Sequence, residues 1–474
     1  MHKKPKRFLF YLSGFGALLI ILIVWAIRPV DNRPYFLSGY YQNTRARLDS
    51  LINQSRLTTG PLEIGMAAIS TTPALQATRD LSADDFFPEV PLAGYGDRRG
   101  RPAQGVHDSL FMKAVAMRVG DQVAFLITWD GLIFPPEVAE LALETLQADF
   151  PLQRAQVLFS ATHTHCGIGG WGEGFLAEQF AGAYNAEIRK WLANQAARVL
   201  KKAYQDLTPA AVAGETFRAG EFVRNRLVGE LGWVDDEFQL IVFRQIDGDY
   251  AVLGIFSAHA TVLSEKVMVM SGDYPGYWQR ALERRIPGVA LFFAGGVGSH
   301  GPAGKGHGFE RARHIGESLA DSVLAYLATL RFRDNISLAY IGLPVDLPER
   351  HFRLSDGLRL NPKLASYVIP YENTYLQAIR IDSLIWIGTP CDFSGELALD
   401  LRRFAREQGF DAVITSFNAG YVGYVIPGKY YHFNAYESRL MSFYGPYMGD
   451  YFDELIRRLI RGMSRLSPES PAAR

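Results

Sequence analysis

Residues 155–174 read AQVLFSATHTHCGIGGWGEG. The apolar, β-rich Val157-Leu158-Phe159 predicts a buried strand, and the glycines after Cys166 leave the backbone room to turn, so His163 and His165 stand at the strand's end. In an extended segment positions i and i+2 share a face, which would project both imidazoles into one space beyond the strand. Such a pair suits a metal, or one metal ligand beside one acid/base or substrate-binding histidine. It is also compatible with two polar residues in a loop.

Working outward, strands and helices alternate. LEIGMAAIS reads as a strand, VAMRV and QVAFLITWDGLIF as a hairpin ending at Asp130, and PPEVAELALETLQADF as a helix leading into the histidine strand. AEIRKWLANQAARVLKKAYQDL is a long amphipathic helix, followed by the strands VAGETFR, EFQLIVFRQI and YAVLGIFSAHA. SGDYPG precedes a helix over 277–285, VALFFAGGVG is a strand running into glycines, and GFERARHIGESLADSVLAYLATL is a helix. SLIWIGTP, ELALDLRRFAREQ and MGDYFDELIRRLIRGM add a strand, a helix and a surface helix. The fold class is therefore α/β, with mixed sheets layered with helices.

The N-terminus carries a separate signal. Basic residues 1–7 precede Phe8–Ile27, 20 residues without a charge. At ~1.5 Å per residue this stretch reaches ~30 Å, a bilayer's hydrocarbon thickness, so residues 8–27 read as one transmembrane signal anchor. The basic flank predicts a cytoplasmic segment 1–7 and an extracytoplasmic catalytic domain, periplasmic or extracellular. Residues 28–61 read as a juxtamembrane spacer with a short helix closed by a turn at TTGP, 62–463 as the globular domain, and 464–474 as a disordered tail. Lys+Arg and Asp+Glu both number 49, so no basic field recommends nucleic acid. The two cysteines exclude a disulfide framework and a cysteine-based structural zinc site.

Three predicted strand ends offer His163 and His165, His259, and Asp392. Two histidines and a carboxylate with one open position are what catalytic zinc commonly requires. Taken singly, His259 reads more readily as a hydrogen-bonded core histidine than as a ligand, and Asp392 reads also as a cap of the helix that follows.

ATHTHCGIGG resembles the ATHTHSGPGG motif of the neutral/alkaline, non-lysosomal ceramidases, zinc amidases that split ceramide into sphingosine and fatty acid. The resemblance runs in order through GVHDSL, WDGLIF, FVRNRL, FSAHAT, SGDYPGY, TPCDFS and YVGYVIPGKYYHFNAYESRLMSFYGPY, over most of residues 62–455. The family's C-terminal immunoglobulin-like domain has no counterpart in this sequence. The resemblance implies zinc held by His163, His259, Asp392 and Tyr424, with Asp392 replacing the family's glutamate. It further implies that His165 protonates the leaving amine while Tyr436 and Arg226, or its neighbour Arg224, stabilise the oxyanion. The implied activity is zinc-dependent hydrolysis of the N-acyl amide of ceramide or a related membrane lipid, placing the chain in sphingolipid metabolism.

The sequence departs from the family in one loop. The family's Gly-Asp-Val-Ser-Pro, whose serine lies in the active site, corresponds to Gly298-Ser299-His300-Gly301-Pro302, with glycine at the serine position. Either Ser299 or His300 turns inward to substitute, or the site works without that serine. The alternatives to a ceramidase are a zinc hydrolase of another acylated lipid or ester, and a non-catalytic membrane-tethered binding protein. Cys166 and Cys391 adjoin His165 and Asp392 and read as two separate buried thiols. A disulfide between them, or Cys166 as nucleophile, are the competing readings.

Overall fold

The computed structural model describes residues 5–75, 85–369 and 374–467, with residues 5–10 by backbone alone. Twelve strands form one hydrogen-bonded system: Thr58–Ser70 (β1), Phe111–Val119 (β2), Gln122–Trp129 (β3), Val157–Ala161 (β4), Thr208–Arg218 (β5), Glu237–Gln245 (β6), Tyr250–Phe256 (β7), Gly288–Ala294 (β8), Asn335–Pro344 (β9), Tyr375–Ile381 (β10), Leu384–Gly388 (β11) and Asp411–Thr415 (β12). Their order is β8-β7-β6-β5-β1-β9-β10-β11-β12, and β1 also pairs with β2, which continues to β3 and β4. The 13-residue β1 divides its partners along its length: β9 along residues 58–61, β5 at Glu63 and Ile64, and β2 from Leu62 to Ser70. The three wings therefore fan out from one strand and fold over one another.

Both faces of these strands are covered, which is why their sequences are apolar runs rather than simple alternations. Along β3, Ala124 and Leu126 join an inner cluster with Leu253 of β7, Phe293 of β8, Trp386 of β11 and Val413 of β12. Phe125 and Ile127 point the other way, into a layer with helices Pro136–Leu146 (α3) and Ala186–Gln205 (α5), between which the short helix Phe175–Ala181 (α4) falls in the chain. Helices Asp273–Glu283 (α6) and Gly308–Leu327 (α7) cover the wing of β6, β7 and β8, while Gly395–Glu407 (α8) and Met448–Arg465 (α9) cover the wing of β9 to β12. The expected α/β layering is present.

Several boundaries differ from those read in the sequence. TTGP is not a turn: it opens β1, because residues 58–61 find backbone partners on β9. The segment read as a spacer is built into the fold. Its helix Gly39–Gln54 (α2) buries Tyr41, Thr44 and Leu48 and pairs Asp49 with Arg458 of α9 at 2.9 Å. α6 begins at Asp273, not at 277, since Pro275 falls in the first turn, where no amide donor is needed.

A helix, Pro5–Ala26 (α1), occupies the N-terminal apolar stretch. Among the described residues no helix is long and apolar enough to cross a membrane, so the expected 8–27 span is not found there. The helix ends at Ala26, where Ile27–Pro29 turns into a strand paired with Leu358–Leu360. The expected tail overlaps the end of α9 at Arg465, and residues 468–474 lie outside the described residues.

Candidate metal centre

The carboxyl ends of β4, β7 and β11 converge, each strand lying in a parallel pair: β4 with β3, β7 with β8, and β11 with β12. Beyond Ala161 the chain turns sharply. Thr162 N donates to Trp129 O at 2.9 Å, and His163 takes a left-handed conformation with φ 63°. This is uncommon for a residue with a Cβ and is the kind of local strain that sites retain. The extended geometry expected for residues 163–165 is thus absent, and a turn brings the two imidazoles together instead. The ring of Phe417, itself at φ 69°, stacks on His163 with centroids 4.3 Å apart.

The Nε2 atoms of His163 and His259 lie 2.8 Å apart, those of His165 and His259 3.0 Å, and those of His165 and His163 3.3 Å. His163 Nδ1 meets the carbonyl of Leu132, and His259 Nδ1 meets that of Val297 at 3.2 Å. A carbonyl only accepts, so these partners assign the protons to Nδ1 and leave bare Nε2 lone pairs facing one another. Lone pairs at 2.8 Å repel unless a cation lies between them. Asp392 Oδ1 stands 3.4 Å from His163 Nε2, buried and without a hydrogen-bond partner, while Oδ2 accepts from the Tyr421 hydroxyl at 2.9 Å. Nitrogen and oxygen donors converging in this way fit a divalent cation such as zinc, and His163, His165 and His259 form a group that could hold one.

His165 differs from the other two histidines. Its Nδ1 is buried without a well-aligned hydrogen bond, and the backbone group it meets is that of Gly94. At 9% exposure, against 3% for His163 and 1% for His259, it is also the most open of the three. Burial lowers the pKa of all three, that of His163 to about 3 and the others well below the usual histidine value. Burial raises Asp392 to about 7, against the lowering effects of the Tyr421 hydroxyl and the Arg226 charge. The contacts between Asp392 and the imidazoles are therefore not ion pairs near neutrality.

Asp392 and Tyr424 are register partners in a short parallel ladder, Asp392–Phe393 against Tyr424–Val425, which sets their side chains side by side. Arg226 Nη2 donates to the Tyr424 hydroxyl at 3.1 Å, and its Nε lies 2.9 Å from Glu437 Oε1, close but off-line for a hydrogen bond. Burial opposes the Arg226 charge, but Tyr424, Glu437 and Asp392 outweigh it and raise the pKa. Arg224 is exposed, so of the two arginines Arg226 is the one at the site. Tyr436 is 44% exposed, with its ring 5.8 Å from that of Tyr424. Gly301 leaves space for Arg226, whose Cδ would lie 3.3 Å from a Cβ at that position. Ser299 and His300 do not turn into the site: Ser299 Oγ contacts His300 Nδ1 at 2.8 Å and Ser394 Oγ at 3.0 Å, and His300 Nε2 accepts from the amide of Asp235.

A cavity of about 50 Å³ opens beside these groups, walled by Leu132, Trp171, Leu176, Phe180 and Met441 with Tyr421, Tyr424 and Tyr436 at its polar side. The sequence reading missed Tyr421, although it stands in the same Tyr-x-x-Tyr as Tyr424, and it missed Glu437 beside Tyr436. The two cysteines are free and buried in different apolar clusters, in line with two separate thiols. Burial raises Cys166 to about 12, which removes it as a nucleophile near neutral pH.

An α/β fold with imidazoles and a carboxylate gathered at the strand ends of one branched sheet defines a protein able to hold a metal beside an apolar pocket. The sequence model described as "Neutral/alkaline non-lysosomal ceramidase, N-terminal" matches residues 86–298, and the resemblance read from the motifs holds there. The neutral ceramidase of Pseudomonas aeruginosa is 24% identical over 237 residues, 45% of this chain and 35% of that protein. The chain thus matches about a third of the length of that curated relative. The crystal structure of the Pseudomonas aeruginosa neutral ceramidase superposes with a TM-score of 0.71 at 20% identity, covering 87% of this chain and 76% of the other. A structure titled as ceramidase complexed with C2 gives 0.71 at 18% identity, covering 87% and 77%.

Proposed function

We propose that this chain is a membrane-attached, zinc-dependent amidohydrolase that cleaves the N-acyl amide of ceramide or a related lipid to a free amine and a fatty acid. The observation that carries the reading is the pair of fixed Nε2 lone pairs on His163 and His259 facing each other beside the unpartnered Asp392 Oδ1. His163, His259 and Asp392 would hold the ion, with Tyr424 completing the set. A bound zinc ion supplies Lewis-acid polarisation of the substrate carbonyl and a lowered pKa for water.

The remaining roles belong to side chains of the chain itself. Arg226 donates to the Tyr424 oxygen, and the Tyr424 hydroxyl in turn faces Asp392, which ties the arginine to the carboxylate through one phenol. Arg226 also sets a full positive charge where an oxyanion would develop, worth a few kcal/mol in a dry site. Tyr436, a phenol protonated at neutral pH whose pKa burial raises further above its usual value, serves as a second hydrogen-bond donor at the cavity mouth. His165, the most open of the three and the least firmly held at Nδ1, is the imidazole placed to pass a proton to the leaving amine. The apolar wall of Leu132, Leu176 and Phe180 suits an acyl chain.

Attachment is proposed through α1. Tyr11, Leu12, Phe15 and the run Leu18–Trp25 are large apolar side chains left exposed, which a lipid environment would cover. The basic residues ahead of it favour an extracytoplasmic hydrolase domain.

The test is metal analysis and hydrolysis of a fluorescent ceramide by the full chain in detergent. His163→Ala and His259→Ala are expected to lose zinc and activity together. His165→Ala is expected to retain zinc and lose ~10²–10⁴ in turnover. Stoichiometric zinc in His163→Ala would overturn the assignment, and zinc without hydrolysis of any acylated lipid would favour the binding protein.

A further inference from the structure

One fully buried cation sits close to the site without being part of it. Arg98 is 0% exposed and lies in the loop Gly94–Arg98, outside every motif singled out in the sequence. Its guanidinium spends its donors on backbone oxygens and a thiol. Nη1 reaches the carbonyl of Ala93 (3.1 Å) and that of His165. Nη2 reaches the carbonyls of Val267 (2.9 Å) and Ser264 (3.4 Å) and the thiol of Cys166 (3.3 Å), and Nε reaches the carbonyl of Glu265 (3.3 Å). Three segments are joined at one side chain: its own loop, the turn carrying His165, and the segment that follows His259.

The same loop also touches the His165 side chain. The Tyr95 ring lies 4.7 Å from the His165 ring and 4.8 Å below the Arg98 guanidinium, and its hydroxyl donates to Leu263 O at 2.8 Å. Gly94 has φ 124°, and a Cβ there would come within 2.6 Å of His165 Cα, so the loop backbone rests directly on that residue. His165 meanwhile has no carbonyl on Nδ1 as well aligned as those that orient His163 and His259, and the backbone partner it does meet is Gly94, in this same loop. Its orientation therefore comes from the loop.

We infer that the Gly94–Arg98 loop is a clamp, with Arg98 and Tyr95 as positioning residues that fix His165 relative to His259. Arg98 holds the His165 carbonyl while Tyr95 walls the imidazole, doing through the backbone and one ring face what a hydrogen bond does for the other two histidines. Lysine cannot replace this arrangement, because a single ammonium carries three donors and no planar fork. The inference rests on the assignment of His165 as the proton carrier, and its test therefore includes a measurement that needs neither zinc nor substrate.

In metal-free full-length protein, amide hydrogen exchange of Arg98→Lys should rise at least tenfold in residues 163–168 and 263–268 together, with β4 and β7 unchanged. In the zinc-loaded protein acting on a fluorescent ceramide, kcat should fall at least tenfold at constant KM and unchanged zinc content. Tyr95→Leu, which leaves the carbonyl contacts of Arg98 in place, should lower kcat with little change in exchange. Unchanged exchange in both segments, or kcat within twofold of wild type in both variants, would overturn the clamp. So would failure of both variants to fold, which would make the loop a folding determinant. The exchange effect in Arg98→Lys together with a wild-type protein that hydrolyses no acylated lipid would count against the proposed activity and leave the coupling of the two segments standing.

Discussion

Asp392 carries the pH behaviour of the site. Burial holds its pKa at about 7, so below that pH a metal must displace a proton to use Oδ1. The histidines, kept neutral far below their usual value, release none. Zinc affinity should therefore fall about tenfold per unit as pH drops below 7, with about one proton released per ion bound at pH 6. Calorimetry in buffers of different ionisation heat measures this directly, and Asp392→Asn should abolish the release. The Tyr421 hydroxyl lowers the Asp392 pKa, so Tyr421→Phe should move the break to higher pH. In the metal-free protein the raised Asp392 value costs stability as pH climbs from about 4 to about 7, because the fold keeps a proton that the unfolded chain gives up. The lowered histidine values act oppositely: their contribution is full above the unfolded value of 6.5 and is lost as pH falls below it. These residues were unequally legible. His163, His259 and Asp392 stand at the ends of readable strands, and His165 and Tyr424 in motifs, whereas Arg98 and Glu437 act through contacts between segments that no local pattern announces.

At the scale of elements, the sequence was clearest where an apolar run or an amphipathic period is long, as in β3, β4, α5 and α7. It was least clear for β9, β10 and β12, whose strand character comes from neighbours far along the chain. TTGP is a case in point: Gly60 and Pro61 read as a turn, but β9 lies alongside and supplies the ladder. Close approach between elements is equally invisible locally. Gly65 of β1 sits against the C-terminal end of α5, and a Cβ there would fall 2.0 Å from Ala203 O and 2.7 Å from Leu207 N. Both are backbone atoms and cannot swing aside. Gly65→Ala should therefore push α5 off the sheet at a cost of about 1–3 kcal/mol or more, read as a lowered denaturation midpoint at unchanged slope. Gly60, where a Cβ would meet only a valine methyl at 3.6 Å, is the control, and its alanine variant should be near neutral in packing.

For the whole molecule the question is how the globular body sits relative to α1. The helix does not end in a loose tether. Asn361 caps its last carbonyls, with its amide N donating to Ala26 O at 2.7 Å and its Nδ2 to Trp25 O at 2.8 Å. Ile27–Pro29 then pairs with Leu358–Leu360, and Arg359 Nε donates to Pro29 O at 3.1 Å. The hairpin that receives it is fixed in turn to the loop bearing Tyr436, through Arg353 on Tyr431 O and the amide of His351 on Phe443 O at 2.6 Å. A membrane holding α1 would thus hold the cavity mouth at a set height, with exposed Leu354, Leu358 and Tyr367 around the foot of the helix. Full-length protein should pellet with membranes, and residues 31–474 should not. A topology reporter is best fused after the C-terminus, since residue 60 lies within β1, and it should be active only outside the cytoplasm. With the helix retained, Asn361→Ala together with Leu358→Pro should free the body without releasing it. Hydrolysis of ceramide in vesicles should then fall several-fold while hydrolysis of the same lipid in detergent micelles stays unchanged. Equal losses in the two assays would mean that the ribbon serves folding alone, and a full-length product found free in the cytoplasm would remove the anchor from the account.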